Sequence, residues 1–275
     1  MKDFATRFGP WAVVTGASSG IGEAFARQIA SRGMNVVLVA RREDRLKKLA
    51  EELQSRHRVA TRIVLVDLAA EDFLPTVERA TSDLEIGLLV NNAGMLTAGK
   101  FLDNDLRAEL NQLHVNTRAS LILAHHFGGR MRRQRRGGVI FVSSTLAFAG
   151  VPSASAYAAS KAHALVFAEG FAREVSSEGI AVLVLCPGPT RTEIWPAGVS
   201  LTLPMKPDTV ATIALKKLGR RTTVVTGLLN RLITFSTRFA PRWLNARIFG
   251  FVVRKMFKDV HAGAVSKTDG PKPVG

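Results

Sequence analysis

Short aliphatic runs alternate with longer amphipathic stretches along almost the whole chain. Residues 11–14, 35–40, 61–66, 86–90, 138–143, 180–185 and 222–225 are nearly continuous apolar runs. That pattern predicts strands buried on both faces, as in a parallel sheet, rather than the alternating pattern of a half-exposed one. Helical periodicity fills the gaps, at about 20–31, 42–53, 71–82, 103–132, 155–177 and 208–218. Strand and helix in regular alternation predict an α/β fold: a Rossmann-type, doubly wound, mostly parallel seven-stranded sheet with helices on both faces.

The pattern changes after residue 227. Residues 228–239 are apolar at 228, 229, 232, 233, 235 and 239, Pro241 interrupts, and 243–256 continues in the same style. Arginines mark the other side, and no acidic residue occurs between 228 and 258. The expected organisation is a single domain over 1–227 that includes a flexible, apolar substrate loop at 191–206. A basic amphipathic helical extension follows at 228–258, with a flexible tail at 259–275. The extension suits three uses: lying on an anionic membrane surface, capping a pocket, or making a dimer contact.

Composition narrows the class. The chain has 275 residues, a single cysteine and a net charge of +16. From Pro196 onward there are 14 Lys and Arg against 3 Asp and Glu, an excess of 11. The surplus suggests an anionic partner such as a cofactor phosphate, an acyl-carrier or coenzyme A substrate, or a lipid surface. No recognition motif or aromatic interleaving points to nucleic acid. Cys186 has no disulfide partner and no metal-ligand cluster is evident, which fits a reducing, cytoplasmic setting, with or without peripheral membrane contact. No signal-like run opens the chain, and no apolar stretch approaches the roughly 18–20 residues that cross a bilayer.

Chemistry concentrates at strand ends. The first strand breaks into TGASSGIG, residues 15–22, and a helix follows. Gly16, Gly20 and Gly22 allow a tight turn, and the helix N-terminus beside Ser18, Ser19 and Ile21 suits a pyrophosphate. The second strand ends in Arg41 and Arg42, where a basic residue favours an adenosine 2′-phosphate over a free hydroxyl. Asp67 and Leu68 close the third strand, and Asn92, Ala93 and Gly94 the fourth. Asn116 interrupts an apolar helix face, which invites a polar role in the interior. Ser144 ends the fifth strand. Tyr157, the only tyrosine, and Lys161 sit one helical turn apart beyond it. A cation beside a phenol is expected to lower its pKa from about 10, which would equip the pair to move a proton on or off an alcohol oxygen. Pro187, Gly188, Thr190 and Thr192 close the sixth strand. Met95, Leu146, Phe148, Val151, Ile194 and Trp195, together with Ser144 and Tyr157, are expected to line an apolar substrate mouth.

Together these motifs resemble the short-chain dehydrogenase/reductase family. TGASSGIG is similar to its TGxxxGxG turn, NNAG at 91–94 to its fourth-strand motif, YAASK at 157–161 to its YxxxK, and PGPTRT at 187–192 to its PGxxxT segment. The resemblance spans residues 11 to about 192. It implies Tyr157 as general acid and base, Lys161 lowering its pKa and holding the nicotinamide ribose, and Ser144 bonding the substrate oxygen. It also implies that Asn116 positions a water, Arg41 meets a 2′-phosphate, Asp67 the adenine, Asn92 the adenosine ribose, and Thr190 or Thr192 the carboxamide. The implied cofactor is NADP(H). The implied reaction passes hydride between it and a hydrophobic carbonyl or secondary alcohol, in an aryl, steroid-like or 3-oxoacyl substrate. A small-ketone or sugar reductase of the same fold and a non-catalytic redox sensor are the alternatives. A hydrolase elbow at Gly16–Gly20 follows the first strand, too early for that fold, and the only histidine beyond His163 is His261, in the expected flexible tail. The expected assembly is a homodimer through helices 103–132 and 155–177.

Overall fold

The computed structural model describes residues 2–196 and 198–256. The seven strands are β1 (Trp11–Thr15), β2 (Asn35–Ala40), β3 (Thr61–Leu65), β4 (Ile86–Asn91), β5 (Gly137–Val142), β6 (Ile180–Cys186) and β7 (Thr223–Val225). They form one sheet in the order β3-β2-β1-β4-β5-β6-β7, with every neighbouring pair parallel. The helices before the last strand are α1 (Lys2–Phe8), α2 (Gly20–Ala30), α3 (Glu43–His57), α4 (Leu74–Thr81), α5 (Leu106–Leu113), α6 (Ala119–Gln134), α7 (Ser155–Glu174) and α8 (Pro207–Lys217).

The continuous apolar runs are explained by burial on both faces. In β1, Ala12 and Val14 enter the core layer shared with α2 and α8, while Val13 enters the layer shared with α6 and α7. β2, β5 and β6 divide their side chains in the same way. Because the winding reverses between β1 and β4, a crevice opens at the carboxyl ends of these strands, where ligands collect in such sheets.

Two elements differ from the sequence-level reading. No helix was expected before residue 11, yet α1 forms, and its buried Phe8 covers Gly138 at the amino end of β5. The single long helix expected over 103–132 is divided: α5 and α6 are joined by a π turn, His114–Arg118, with Asn116 at its centre. The reason is local. Asn116 turns its amide inward, where backbone and side-chain partners hold it, and a π turn absorbs the extra residue.

After β7 the chain forms α9 (Leu228–Ser236) and α10 (Arg242–Met256). Phe249 and Val253 of α10 join a third apolar cluster with Val151, Ala154, Tyr157 and Ala158, and Leu146, Ile194 and Trp195 pack against it. A Cβ on Gly250 would lie 2.8 Å from Pro152 Cγ, so α10 needs glycine there to approach this closely. The extension therefore roofs the carboxyl end of the sheet. No helix among the described residues is long and apolar enough to cross a membrane. The tail expected at 259–275, with residues 257 and 258 of the extension, lies outside the described residues.

Candidate functional site

A cavity of about 890 Å³ runs along the carboxyl ends of the strands. One end is built by the β1–α2 turn. Gly16 and Gly20 adopt φ of +65° and +59°, conformations that side chains with a Cβ rarely take. Ser19 precedes α2 in extended conformation, and its hydroxyl does not cap the helix. The N-terminus of α2 thus faces the cavity with free N–H groups, a ready seat for phosphate. Gly22 acts differently. A Cβ there would lie 2.3 Å from Gly16 O, so it serves close packing and does not line the cavity.

Arg42 crosses this turn. Its guanidinium donates to Ser18 Oγ at 3.1 and 3.0 Å and to Ser19 Oγ at 2.6 Å. Arg41, expected to meet the 2′-phosphate, also lines the cavity, and its guanidinium lies 3.6 Å from Asp67, with both side chains exposed. Successive residues leaving a strand project in opposite directions, so only one of the two reaches the glycine turn. Asn92 lines the cavity and also ties two strands together. Its Nδ2 donates to Thr15 O at 2.9 Å, while Thr15 Oγ1 accepts from the N–H groups of Asn92 and Ala93 at 3.0 Å each. This binds the end of β4 to the end of β1 and shapes the cavity floor.

At the inner end, Tyr157, Lys161 and Ser144 are buried together and line the same cavity. Lys161 Nζ lies 5.6 Å from the centre of the Tyr157 ring and donates to Val142 O at 3.0 Å. Ser143 fixes α7 against β5 by donating to Lys161 O at 2.7 Å. Asn116 holds the neighbouring backbone: Oδ1 accepts from Met95 N at 2.8 Å, and Nδ2 donates to Met95 O at 3.0 Å and Ser160 Oγ at 2.9 Å. Asn116 itself does not line the cavity. A Cβ on Gly94 would lie 3.2 Å from Lys161 Nζ and 3.4 Å from Asn116 Oδ1, so the fourth-strand glycine is what lets both polar groups come close.

The expected lowering of the Tyr157 pKa is not found. Burial pushes the phenol up to about 12, with the neighbouring Ser144 hydroxyl pulling the other way. Burial likewise pushes the Lys161 ammonium down to about 8. Loss of water disfavours both charged forms, and the ammonium is turned to the Val142 carbonyl. In this state the site holds a protonated phenol, a proton donor, beside a titratable amine.

Most of the residues picked from sequence meet in this cavity: Ile21, Asp67, Leu68, Ala93, Pro187, Gly188, Thr190 and Thr192 all line it. Thr190 Oγ1 is taken by Gly188 O at 2.9 Å, and the Trp195 indole donates to Thr190 O at 2.9 Å. Of the expected substrate mouth, Met95, Leu146, Ile194 and Trp195 line the cavity, whereas Phe148 and Val151 do not. Phe148 packs against the core beneath, and Val151 is buried in the cluster under α10. Sequence reasoning did not single out Leu229, Ile233, Phe249, Val252 and Met256, which form much of the outer wall. Their apolar periodicity was visible, but not which way the extension folds. Arg45 and Glu193 also went unremarked; Glu193 Oε1 and Oε2 accept from Arg45 and Arg42 at 2.6 Å each.

A crevice at the switch point, a glycine turn facing it and a buried Tyr/Lys pair inside it are the equipment of a nicotinamide-dependent oxidoreductase. The short chain dehydrogenase family model matches residues 10–199, and the chain belongs to that family. A 7beta-hydroxysteroid dehydrogenase of Clostridium sardiniense is 31% identical over 236 residues, covering 83% of this chain and 90% of the relative. A very-long-chain 3-oxoacyl-CoA reductase of Mus musculus is 31% identical over 253 residues, covering 88% and 79%. Among solved structures, a short-chain dehydrogenase from Sphingobium yanoikuyae in complex with NADPH superposes with a TM-score of 0.77 at 31% identity, covering 97% of this chain and 99% of that one. A bulky-bulky ketone specific alcohol dehydrogenase from Comamonas testosteroni gives a TM-score of 0.74 at 28% identity, covering 97% and 98%.

Proposed function

We propose that the protein is an NADP(H)-dependent carbonyl reductase, reversible as a secondary-alcohol dehydrogenase, acting on bulky hydrophobic substrates. The observation that carries this reading is one continuous cavity with Arg42, Ser18 and Ser19 at one end, Tyr157 and Lys161 inside, and an apolar wall from α9 and α10. The residues fit the cofactor: a cationic group beside free helix N–H groups suits a phosphorylated adenosine, and the glycine turn leaves room for a pyrophosphate. Bound NADPH supplies the hydride. Tyr157 Oη donates its proton to the substrate oxygen as negative charge develops there, and Ser144 Oγ donates a hydrogen bond to the same oxygen. The charged form of Lys161 favours the phenolate left behind, and its ammonium would hold a ribose hydroxyl of the cofactor. Asn116 fixes the backbone around Met95 that these groups rest on.

The substrate class follows from the wall. Leu146, Ile194, Trp195, Ile233, Phe249 and Val252 offer contact surface and few polar anchors, which suits a steroid-like, aryl or long acyl ketone more than a sugar. The substrates named for the relatives agree with this. Two assembly features belong to the same proposal. Exposed Leu106, Leu110 and Val166 on α5 and α7 support a homodimer through these helices. The basic, apolar outer face of α9 and α10 supports peripheral contact with an anionic membrane. The test is initial-rate nicotinamide absorbance with NADPH and NADH on acetoin, aryl ketones, steroids and 3-oxoacyl thioesters. Turnover is expected with NADPH on the bulky apolar group; turnover only on acetoin would reject the substrate class.

A further inference from the structure

Residues 191–196 and 198–204 belong to a loop tied at its base by two backbone hydrogen bonds between residues 189–191 and Met205. Arg191 N donates to Met205 O at 3.0 Å, and Met205 N to Pro189 O at 2.9 Å. Within it, Ile194 and Trp195 form part of the substrate wall. Glu193, next to them, reaches across to the cofactor end and binds two arginines at once: Arg42 Nη1 and Arg45 Nη1, each at 2.6 Å. The same Arg42 guanidinium holds Ser18 and Ser19 through Nε and Nη2. A carboxylate from the substrate loop therefore already binds the arginine that crosses the phosphate-binding turn, together with Arg45. Arg41 lies beside Asp67.

On the NADP(H) reading Arg42, with Ser18 and Ser19, meets the adenosine 2′-phosphate; we propose that Glu193, held by Arg42 and Arg45, is a built-in competitor for that phosphate and latches the substrate loop until it arrives. The inference rests on the NADP(H) reading above. A phosphate dianion and the Glu193 carboxylate are like charges drawn to the same guanidinium groups, so binding of one weakens the other. When the phosphate takes Arg42, the segment carrying Ile194 and Trp195 loses part of its outer anchor and is free to adjust to substrate. A cofactor without the 2′-phosphate leaves the latch closed. Glu193 thus sets cofactor discrimination and couples it to the substrate wall, reciprocally as linkage requires.

The test uses the full chain and two pairs of ligands: NADPH with NADH, and 2′,5′-ADP with 5′-AMP, which lack the nicotinamide and cannot react. Dissociation constants are measured by calorimetry, and hydrogen exchange is followed in peptides covering 190–196. Because the latch is solvent-exposed, Glu193→Gln is expected to tighten NADPH and 2′,5′-ADP about three- to tenfold and to leave NADH and 5′-AMP within about twofold. In the parent protein, 2′,5′-ADP is expected to speed exchange at 190–196 while 5′-AMP does not. In Glu193→Gln exchange is expected to be fast from the start. Unchanged or weaker NADPH binding in Glu193→Gln, with NADPH still preferred by the parent, overturns the latch alone. A parent protein that binds 2′,5′-ADP no better than 5′-AMP overturns both the latch and the NADP(H) reading.

Discussion

Tyr157 and Lys161 are both held away from water, and burial disfavours the charged form of each. A buried Lys whose pKa falls from 10.5 to about 8 makes the unfolded chain the better proton binder between those values, so stability rises with pH from about 8. Cys186, pushed from 9.0 up to about 12, keeps its proton in the fold, and its contribution falls as pH rises above 9. Tyr157 adds to that fall above 10. Each pH unit in which only one state holds a proton is worth about 1.4 kcal/mol. Urea midpoints are therefore expected to rise between pH 8 and 9, level near 9–10 and fall beyond. Lys161→Met is expected to remove the rising limb; a parent protein with no rise would contradict the buried ammonium. For the chemistry, Tyr157→Phe removes the only proton donor of the proposal. Its turnover is expected to drop at least about a hundredfold, with NADPH binding by fluorescence nearly unchanged. Loss of binding instead would assign Tyr157 to the cofactor site.

At the scale of elements, the π turn between α5 and α6 is the device that delivers Asn116 to the interior. Its amide closes three hydrogen bonds, two to Met95 and one to Ser160. Asn116→Ala leaves the half-buried Met95 backbone groups without their side-chain partner, at a cost of about 1 kcal/mol. The urea midpoint should fall accordingly, and turnover should fall further, because Met95 and Gly94 shape the floor beside Lys161. A variant as stable and as active as the parent would show that the turn is not maintained for this residue. The glycine turn makes the same point by sterics. Gly22→Ala would drive a Cβ to 2.3 Å from Gly16 O, so strand β1 and helix α2 must separate for the residue to fit.

On the scale of the whole molecule, charge and apolar surface gather on one face. Leu232, Phe235, Phe239, Trp243 and Phe251 are 60%, 55%, 76%, 65% and 66% exposed. Six Arg and Lys and no Asp or Glu occur over residues 228–256. An isologous contact through this face would bring two such basic surfaces together, whereas an anionic bilayer complements them and accepts the aromatic side chains. Cosedimentation with phosphatidylglycerol vesicles is expected, with little on phosphatidylcholine and release by salt. Phe239→Glu with Trp243→Glu should abolish it while leaving turnover of a soluble ketone intact. Sedimentation velocity on the same variant reads the alternative: dissociation of a dimer would make this face a contact between copies.

Much of the architecture could be read directly, because its causes are local. Continuous apolar runs between amphipathic helices dictate a sheet buried on both faces, and a Tyr and Lys one helical turn apart share a face whatever surrounds them. The glycine turn is equally local, since positive φ and close approach restrict residue type at single positions. Other features depend on distant parts of the chain. Whether Arg41 or Arg42 meets the turn depends on how β2 sits beside β1. That Glu193 reaches Arg45, 148 positions earlier, follows from where the substrate loop lands. The direction of the Tyr157 shift depends on how completely the α7 face is covered, and part of that cover comes from α10. Sequence determined the fold class and the chemical groups; tertiary structure decided their partners, exposure and protonation, because those depend on neighbours brought together only when the helices and the C-terminal extension pack on the sheet.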